Sequence, residues 1–82
     1  MTAIEFQPRN VSLSSNGALP LLLLTLTSRE REVMELVLNG ESNRDIGAAL
    51  SISERTVEVH LTKIYRKLRV SNRNQLVRKL LG

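Results

Sequence analysis

The chain of 82 residues contains no cysteine and no tryptophan, and its aromatic residues are one phenylalanine and one tyrosine. The absence of cysteine excludes a disulfide framework, a thiolate metal site and a cysteine nucleophile. Because aromatic residues are scarce, leucine, isoleucine, valine and alanine must build any core. This composition favours packed helices over a β-sandwich.

The sequence also lacks a long apolar run. The longest, Leu21 to Leu24, is far shorter than the roughly 20 residues that a membrane-spanning helix requires. The first residues do not show the charged start, apolar segment and cleavage site of a signal peptide. We therefore expect a soluble, unexported protein whose length permits one domain with an arm.

Acidic residues are absent from the last part of the chain. Between Val59 and Gly82 there is no Asp or Glu, whereas seven cations occur: Lys63, Arg66, Lys67, Arg69, Arg73, Arg78 and Lys79. The formal net charge is +4 and the isoelectric point is about 10.4. A basic half of this kind favours a face that binds a polyanion such as DNA. A basic surface that serves only solubility is the alternative.

The segment from Ser53 to Leu68 has the periodicity of a two-sided helix. One stripe is apolar and is expected to be buried: Val57, Leu61, Ile64 and Leu68. The opposite ridge is chemically mixed: Arg55, Glu58, Val59, Thr62 and Arg66. Such a mixture of cations, a carboxylate, a methyl surface and a hydroxyl can contact base edges and phosphates in a major groove. An ordinary amphipathic helix with a polar outer face is the alternative.

Helix-capping patterns divide the rest of the domain. Thr27 and Glu30 form a capping box that begins a helix ending near Leu38, and Ser42 with Asp45 begins a second. Ser53 caps the third helix, after a connection of only three residues, and Ser71 is expected to cap a fourth. The expected apolar residues of the other three helices are Val33, Leu36, Val37, Ile46, Ala49, Leu50, Leu76, Val77, Leu80 and Leu81. Two short helices joined by so short a turn form a helix-turn-helix.

The first 25 residues are predicted to be a flexible arm or linker with a short apolar segment. Residues 1–18 are polar and lack periodicity. The segment from Leu19 to Leu24 either lies in extended form against the helical core or docks on a partner, and Pro20 opposes a helix interior there.

Three blocks at fixed spacing carry a family resemblance: LTSREREV from Leu26, SNRDI with SISERTV, and KIYRKLRV followed by Arg73. Leu26 to Gly82 resembles the LuxR/FixJ/GerE-type helix-turn-helix domain of bacterial transcription regulators. The resemblance implies an all-α domain of four helices that binds DNA, usually as a dimer on two half-sites. It also implies that the helix over 53–68 is the recognition helix and that the fourth helix supplies much of the dimer contact.

Carried over by position, the resemblance assigns roles to individual residues. The base-facing residues are Glu58, Val59 and Thr62. The phosphate-facing residues are Arg44, Thr56 and Lys63, to which the helical geometry adds Arg55 and Arg66. The dimerisation residues are Leu76, Val77 and Leu80. A pair corresponding to Glu30 and Arg73 is expected to tie the first helix to the fourth without touching DNA.

Three positions depart from the family pattern. Glu58 stands where a lysine or arginine is usual: its carboxylate either accepts a hydrogen bond from cytosine N4 or only weakens binding by repelling phosphate. Arg69 replaces a glycine after the recognition helix, where a left-handed residue costs roughly 1 kcal/mol if it is not glycine. Leu76 replaces an alanine and is expected to repack the dimer contact.

No catalytic constellation or metal site is evident. His60 is the single histidine and has no partner ligands in sequence, and the glutamates of the first helix are interpreted as a solvated face paired with its arginines. We expect no enzyme activity, no cofactor and no small-molecule ligand.

The predicted function is that of a sequence-specific transcription regulator in the bacterial cytoplasm, associated with the nucleoid when bound. Its expected partners are double-stranded DNA and a second copy of the chain, with RNA polymerase as a candidate. Whether it stands alone or is the output domain of a longer regulator stays open. The alternative is an interaction module that forms a heterodimer with a larger family member and modulates its DNA binding.

Overall fold

The computed structural model describes residues 19–82, which form five α-helices and no strand. In chain order these are α1 (Leu19–Leu23), α2 (Ser28–Leu38), α3 (Asn43–Leu50), α4 (Glu54–Leu68) and α5 (Arg73–Leu81). The all-α fold with a helix-turn-helix is confirmed, and α2 to α5 are the four helices that the sequence predicts. The flexible arm expected over residues 1–18 lies outside the described residues.

The apolar segment before the domain is helical, so the expectation that it lies in extended form is wrong. It forms α1, a helix of five residues. Pro20 is accommodated because it lies in the first turn, where the helix needs no backbone N–H from it. Three leucines of α1 pack in part against the core: Leu19, Leu22 and Leu23. The segment is therefore docked on the domain, as expected, but in a different conformation.

Side-chain caps begin α2, α3 and α4 where the sequence predicts them. The Glu30 amide donates to Thr27 Oγ1 at 3.0 Å, and the Thr27 amide donates to Glu30 Oε1 at 2.9 Å, which completes the capping box. The Asp45 amide donates to Ser42 Oγ at 3.1 Å. Ser53 Oγ accepts from the Thr56 amide at 3.0 Å. Each cap satisfies an amide that the helix itself leaves without an acceptor.

The cap of α5 is Asn72 and not Ser71, so the predicted start of this helix is wrong by one residue. Asn72 Oδ1 accepts from the Gln75 amide at 2.9 Å, while the Gln75 side chain accepts from the Ser71 amide at 2.7 Å. Two adjacent residues that both favour the N-cap position compete here. The hydrogen bond from the Ser71 amide to Gln75 further fixes the chain ahead of the Asn72 cap.

The core is centred on α4, which packs against each of the other four helices. All four residues of its predicted apolar stripe, from Val57 to Leu68, are buried. The buried hydrophobic residues of the other elements are Leu26, Val33, Met34, Val37, Ile46 and Leu76. A helix in contact with every other element is held rigidly, so its outer face is a fixed surface.

The buried faces of α2 and α3 are rotated slightly from the predicted ones. Ala49 is exposed and Leu36 is only partly buried, whereas Met34 is buried. In α3 the buried residues are Ile46 and Gly47.

Gly47 allows the turn of the helix-turn-helix to lie directly against α3. The Ile52 amide donates to the Gly47 carbonyl at 2.9 Å. A Cβ atom at position 47 would lie 2.7 Å from the carbonyl oxygen of Ile52. A larger residue at this position would therefore clash with the backbone of the turn.

Among residues 19–82, two residues that are not glycine adopt the left-handed conformation: Ser51 (φ 60°) in the turn, and Arg69 (φ 62°, ψ 44°) after α4. The expectation that Arg69 occupies a left-handed C-cap is confirmed. The Arg69 amide donates to the Arg66 carbonyl, and the Val70 amide donates to the Tyr65 carbonyl at 2.9 Å.

None of the helices in residues 19–82 has both the length and the apolar character needed to span a bilayer.

Candidate nucleic-acid interface

The outer ridge of α4 is exposed along its whole length. Arg55, Glu58, Val59, Thr62 and Arg66 are all exposed, and Val59 is one of the few large hydrophobic side chains with a surface fraction as high as 42%. The helix rises about 1.5 Å per residue, so Arg55 and Arg66 lie about 16 Å apart along it. A major groove is about 12 Å wide. The two arginines therefore bracket a central section that contains the other three residues.

The centre of the ridge offers hydrogen-bond acceptors and methyl groups. Thr62 Oγ1 donates to the backbone carbonyl of Glu58 at 3.1 Å, so its one proton is used within the helix. Its oxygen lone pairs and methyl group stay outward. Over residues 19–82, Glu58 takes part in no ion pair and its carboxylate accepts no hydrogen bond. Val59 contributes an apolar surface between them.

The side chains predicted to face phosphates fall into two groups. Four are exposed cations that make no ion pair or side-chain hydrogen bond within the described part of the chain: Arg44, Arg55, Lys63 and Arg66. Thr56 differs, because it is half-buried and its hydroxyl lies 2.9 Å from Ser53 Oγ. The four cations can therefore bind phosphates without first breaking a contact, whereas Thr56 shares its hydroxyl with the cap.

The expected pair of Glu30 and Arg73 is not formed. Glu30 instead pairs with Lys67 of α4, whose Nζ lies 2.7 Å from Oε1. Lys67 Nζ also donates to the carbonyl of Thr25 at 3.1 Å. The interpretation of Glu30 as part of a solvated face is also wrong, because the residue is 3% exposed. Lys67 thus joins the start of α2 and the segment after α1 to the last turn of α4.

Burial by itself raises the pKa of a carboxyl group. At Glu30 the hydrogen bonds from Lys67 and the Thr27 amide, together with the nearby positive charge of Lys67 and the ring of His60, outweigh that effect. The pKa of Glu30 therefore lies below its ordinary value. The carboxylate is charged in the folded protein at neutral pH and holds α2 against α4.

Arg73 has a different role from the expected one. Its guanidinium donates to Asn43 Oδ1 at 3.0 Å and to the backbone carbonyl of Glu41. It therefore ties the start of α5 to the connection between α2 and α3. As the sequence analysis predicts, this arginine holds the fold, although by other contacts.

The apolar residues of α5 do not all lie at the surface. Leu76 is 0% exposed and belongs to the core, so its side chain is not available for direct contact with a second copy. Val77 and Leu80 are partly buried, and Leu81 is 63% exposed. The part of the predicted dimerisation set that reaches the surface is Val77 with Leu80, and Leu81 extends it.

His60 lies on the flank of α4 toward Glu30, and its Nδ1 atom is buried and makes no hydrogen bond to the described residues. Within residues 19–82, no three His, Asp or Glu side chains are grouped as a metal site would require. Position therefore gives His60 a packing role at the α2–α4 contact.

Comparison with known proteins decides the family. The family model described as bacterial regulatory proteins of the luxR family matches residues 24–80. The chain belongs to this family. The family is one of DNA-binding domains of transcription regulators and not a class of enzymes.

Named relatives agree with this assignment. The chain is 52% identical over 52 residues to the transcriptional regulatory protein DegU of Brevibacillus brevis. The aligned residues cover 63% of this chain and 22% of that protein. It is 48% identical over 50 residues to the uncharacterized transcriptional regulatory protein YhcZ of Bacillus subtilis, covering 61% and 23%. It is 44% identical over 61 residues to the glycerol metabolism activator of Pseudomonas putida, covering 74% and 28%.

The luxR-family chain thus spans about a quarter of the length of these relatives. No solved structure matches it.

Two structural residues were missed by sequence reasoning. The sequence places Lys67 only among the cations of the basic half, and it assigns Arg31, which donates to the Leu23 carbonyl at 3.1 Å, to the solvated face of the first helix. Their partners are a distant carboxylate and backbone carbonyls, for which the sequence has no local pattern.

Proposed function

We propose that the chain binds double-stranded DNA in a sequence-specific manner, with α4 in the major groove. The observation that carries this proposal is the ridge of α4, which is exposed over its full length while the opposite side is packed against four helices. A recognition helix needs this combination, because its outer residues must contact the base edges while the other helices hold it in place. Binding of chromosomal DNA would place the protein at the bacterial nucleoid.

The backbone contacts in this proposal come from the four exposed cations Arg44, Arg55, Lys63 and Arg66. Each phosphate neutralised releases counterions from the duplex, so affinity falls with salt by a slope of about 0.9 per contact. Arg44 reaches the duplex from α3, while the other three lie on α4. Base contacts are assigned to Glu58, Val59 and Thr62, and Thr56 supports the first turn of α4.

We propose further that two copies bind side by side through α5. Val77 and Leu80 are partly exposed and Leu81 is the most exposed large hydrophobic side chain of this helix. An apolar edge on α5 can be buried by the same edge of a second copy, which is how a two-fold interface forms. The core position of Leu76 limits it to supporting Val77 and Leu80 from below.

Fluorescence anisotropy tests the proposal, with a random duplex and a selected sequence titrated at several salt concentrations. For Arg44→Ala we expect weaker binding to every sequence and a salt slope that is smaller by about 0.9. Arg29→Ala is the matched control, because it removes the same charge from an exposed arginine that pairs with Glu32 at 3.2 Å on α2. Equal losses in the two variants would refute the assignment of Arg44, and no binding at low salt would refute DNA binding itself.

A second candidate is an interaction module that forms a heterodimer with a larger family member. The observation in its favour is α1, on which Leu21 is 68% exposed and Leu24, directly after it, is 74% exposed. Size-exclusion chromatography of the chain mixed with a full-length relative tests this candidate. Co-migration that is lost in Leu21→Glu would favour it, and separate elution would exclude it. RNA polymerase stays a candidate partner to which no residue is assigned.

A further inference from the structure

The central section of α4 has no side-chain proton to give to a base. Glu58 carries a carboxylate that accepts, Val59 is apolar, and the hydroxyl proton of Thr62 is bound to the Glu58 carbonyl at 3.1 Å. These three residues span about 6 Å along the helix, which corresponds to about two base-pair steps. The donors of the ridge, Arg55 and Arg66, lie outside this section at its two ends.

The four bases differ in what they present to such a surface in the major groove. Guanine offers only the acceptors N7 and O6, so it needs a donor from the protein. Cytosine offers the N4 amino group, and thymine offers a methyl group. Adenine offers an amino group, but its own N7 and the O4 of the paired thymine flank it and would repel a carboxylate. A surface of one carboxylate and two methyl-bearing side chains therefore matches cytosine and thymine.

We propose that the centre of α4 selects a cytosine through Glu58 and the methyl group of a neighbouring thymine through Val59 and Thr62, and that guanine is not read there. This inference rests on the proposed placement of α4 in the major groove. The carboxylate enters the groove without a net charge penalty because Arg55, Lys63 and Arg66 neutralise phosphates on either side. The same carboxylate excludes sequences that would bring only acceptors beneath it.

The first test is selection of bound duplexes from a random pool by the full chain, followed by sequencing. We expect an enriched half-site with adjacent cytosine and thymine on one strand. In Glu58→Gln the cytosine should be replaced by adenine, because glutamine pairs with both N6 and N7 of adenine. In Glu58→Ala the preference at that position should disappear while the rest of the half-site persists.

The second test removes one methyl group from the DNA. Replacing the selected thymine by uracil should weaken binding of the wild-type chain several-fold, as measured by anisotropy. The same replacement should have a smaller effect in Val59→Ala, because one of the two apolar partners is already reduced. Thr62→Val keeps the shape and removes the hydroxyl, so it should retain the same half-site. Thr62→Ser keeps the hydroxyl and removes the methyl group, so it should lose part of the thymine preference.

The outcomes separate this inference from the proposed function. An enriched half-site whose central positions are unchanged in Glu58→Gln and Val59→Ala would overturn the inference while leaving DNA binding by α4 in place. A preference for the central C·G pair that is kept in Glu58→Gln and lost on removal of Arg55 or Arg66 would show that guanine is read there, and would overturn the inference in the same way. Binding with a steep salt dependence and no enriched half-site would overturn both the inference and the sequence specificity of the proposed function. No binding to any duplex at low salt would instead refute the proposed function.

Discussion

Replacement of Gly47 by alanine tests whether the turn of the helix-turn-helix is as close to α3 as the geometry indicates. The new methyl carbon would lie 2.7 Å from the carbonyl oxygen of Ile52, which is a backbone atom and cannot rotate away. The same methyl carbon would also lie 3.5 Å from the Glu54 amide, at the start of α4. The clash can be relieved only if the turn moves, and this movement would change the angle between α3 and α4.

Two effects of opposite sign determine the stability of Gly47→Ala. Alanine is better than glycine inside a helix by about 1 kcal/mol. Overpacking of a well-packed site costs about 1–3 kcal/mol, and a clash with backbone belongs at the upper end. We expect a net loss of about 1–2 kcal/mol. For a domain of this size that is a decrease in Tm of about 4–8 °C for each kcal/mol.

Urea unfolding followed by far-ultraviolet circular dichroism measures the effect. Ala48→Gly is the matched control, because Ala48 is the exposed neighbour of Gly47 on the same helix. This control should cost about 1 kcal/mol from helix propensity alone. If Gly47→Ala were neutral or more stable than the wild type, propensity would outweigh the contact, and the argument from the close turn would be refuted.

Three further predictions concern other parts of the chain. Arg69→Gly should stabilise the fold by about 0.5–1 kcal/mol in urea unfolding, since it removes left-handed strain, whereas Arg78→Gly inside α5 should destabilise it. Folding lowers the pKa of Glu30. The carboxylate therefore stabilises the fold at pH values above its ordinary pKa of 4.5. This stabilisation is lost as the pH falls through the lowered pKa of the folded protein. Glu30→Gln should therefore flatten the acid limb of stability against pH, and an unchanged limb would contradict the pairing with Lys67. Leu81→Glu should abolish cooperative binding to paired half-sites in anisotropy without weakening binding to one half-site, and Leu21→Glu should leave both unchanged.

Most of the fold follows from local rules that the sequence displays. The caps at Thr27, Ser42 and Ser53 depend on contacts over three residues, so their spacing is enough to predict them. The apolar stripe of α4 is equally local, because one helix contains all of it. The start of α5 is mispredicted by one residue because Ser71 and Asn72 are equally good caps by residue type, so the local pattern does not choose between them.

The remaining errors concern contacts between distant parts of the chain. Glu30 and Lys67 are 37 positions apart, and no local pattern pairs them. A sign of its burial was nevertheless present, because Glu30 precedes Val33, Met34 and Val37 at helical spacing and so shares their buried face. Ala49 was placed in the core because periodicity alone does not show that the turn approaches α3 on the side of Gly47.

At the candidate interface, the sequence predicts which side of α4 faces outward but not which hydrogen bonds its side chains make. The internal hydrogen bond of Thr62 removes its donor, and this depends on rotamer choice rather than on residue type. The burial of Leu76 likewise depends on how α5 is seated against the rest of the domain.

The two cations that bind backbone carbonyls near α1 have a mechanical consequence. Arg31 holds the Leu23 carbonyl, and Lys67 holds the Thr25 carbonyl while it is also paired with Glu30. A pull on the chain ahead of α1 therefore reaches α2 through Arg31 and the end of α4 through Lys67, without having to pass along the three connections between α1 and α4. The helix proposed to enter the major groove is thus one of the first elements beyond α1 that such a tension would reach.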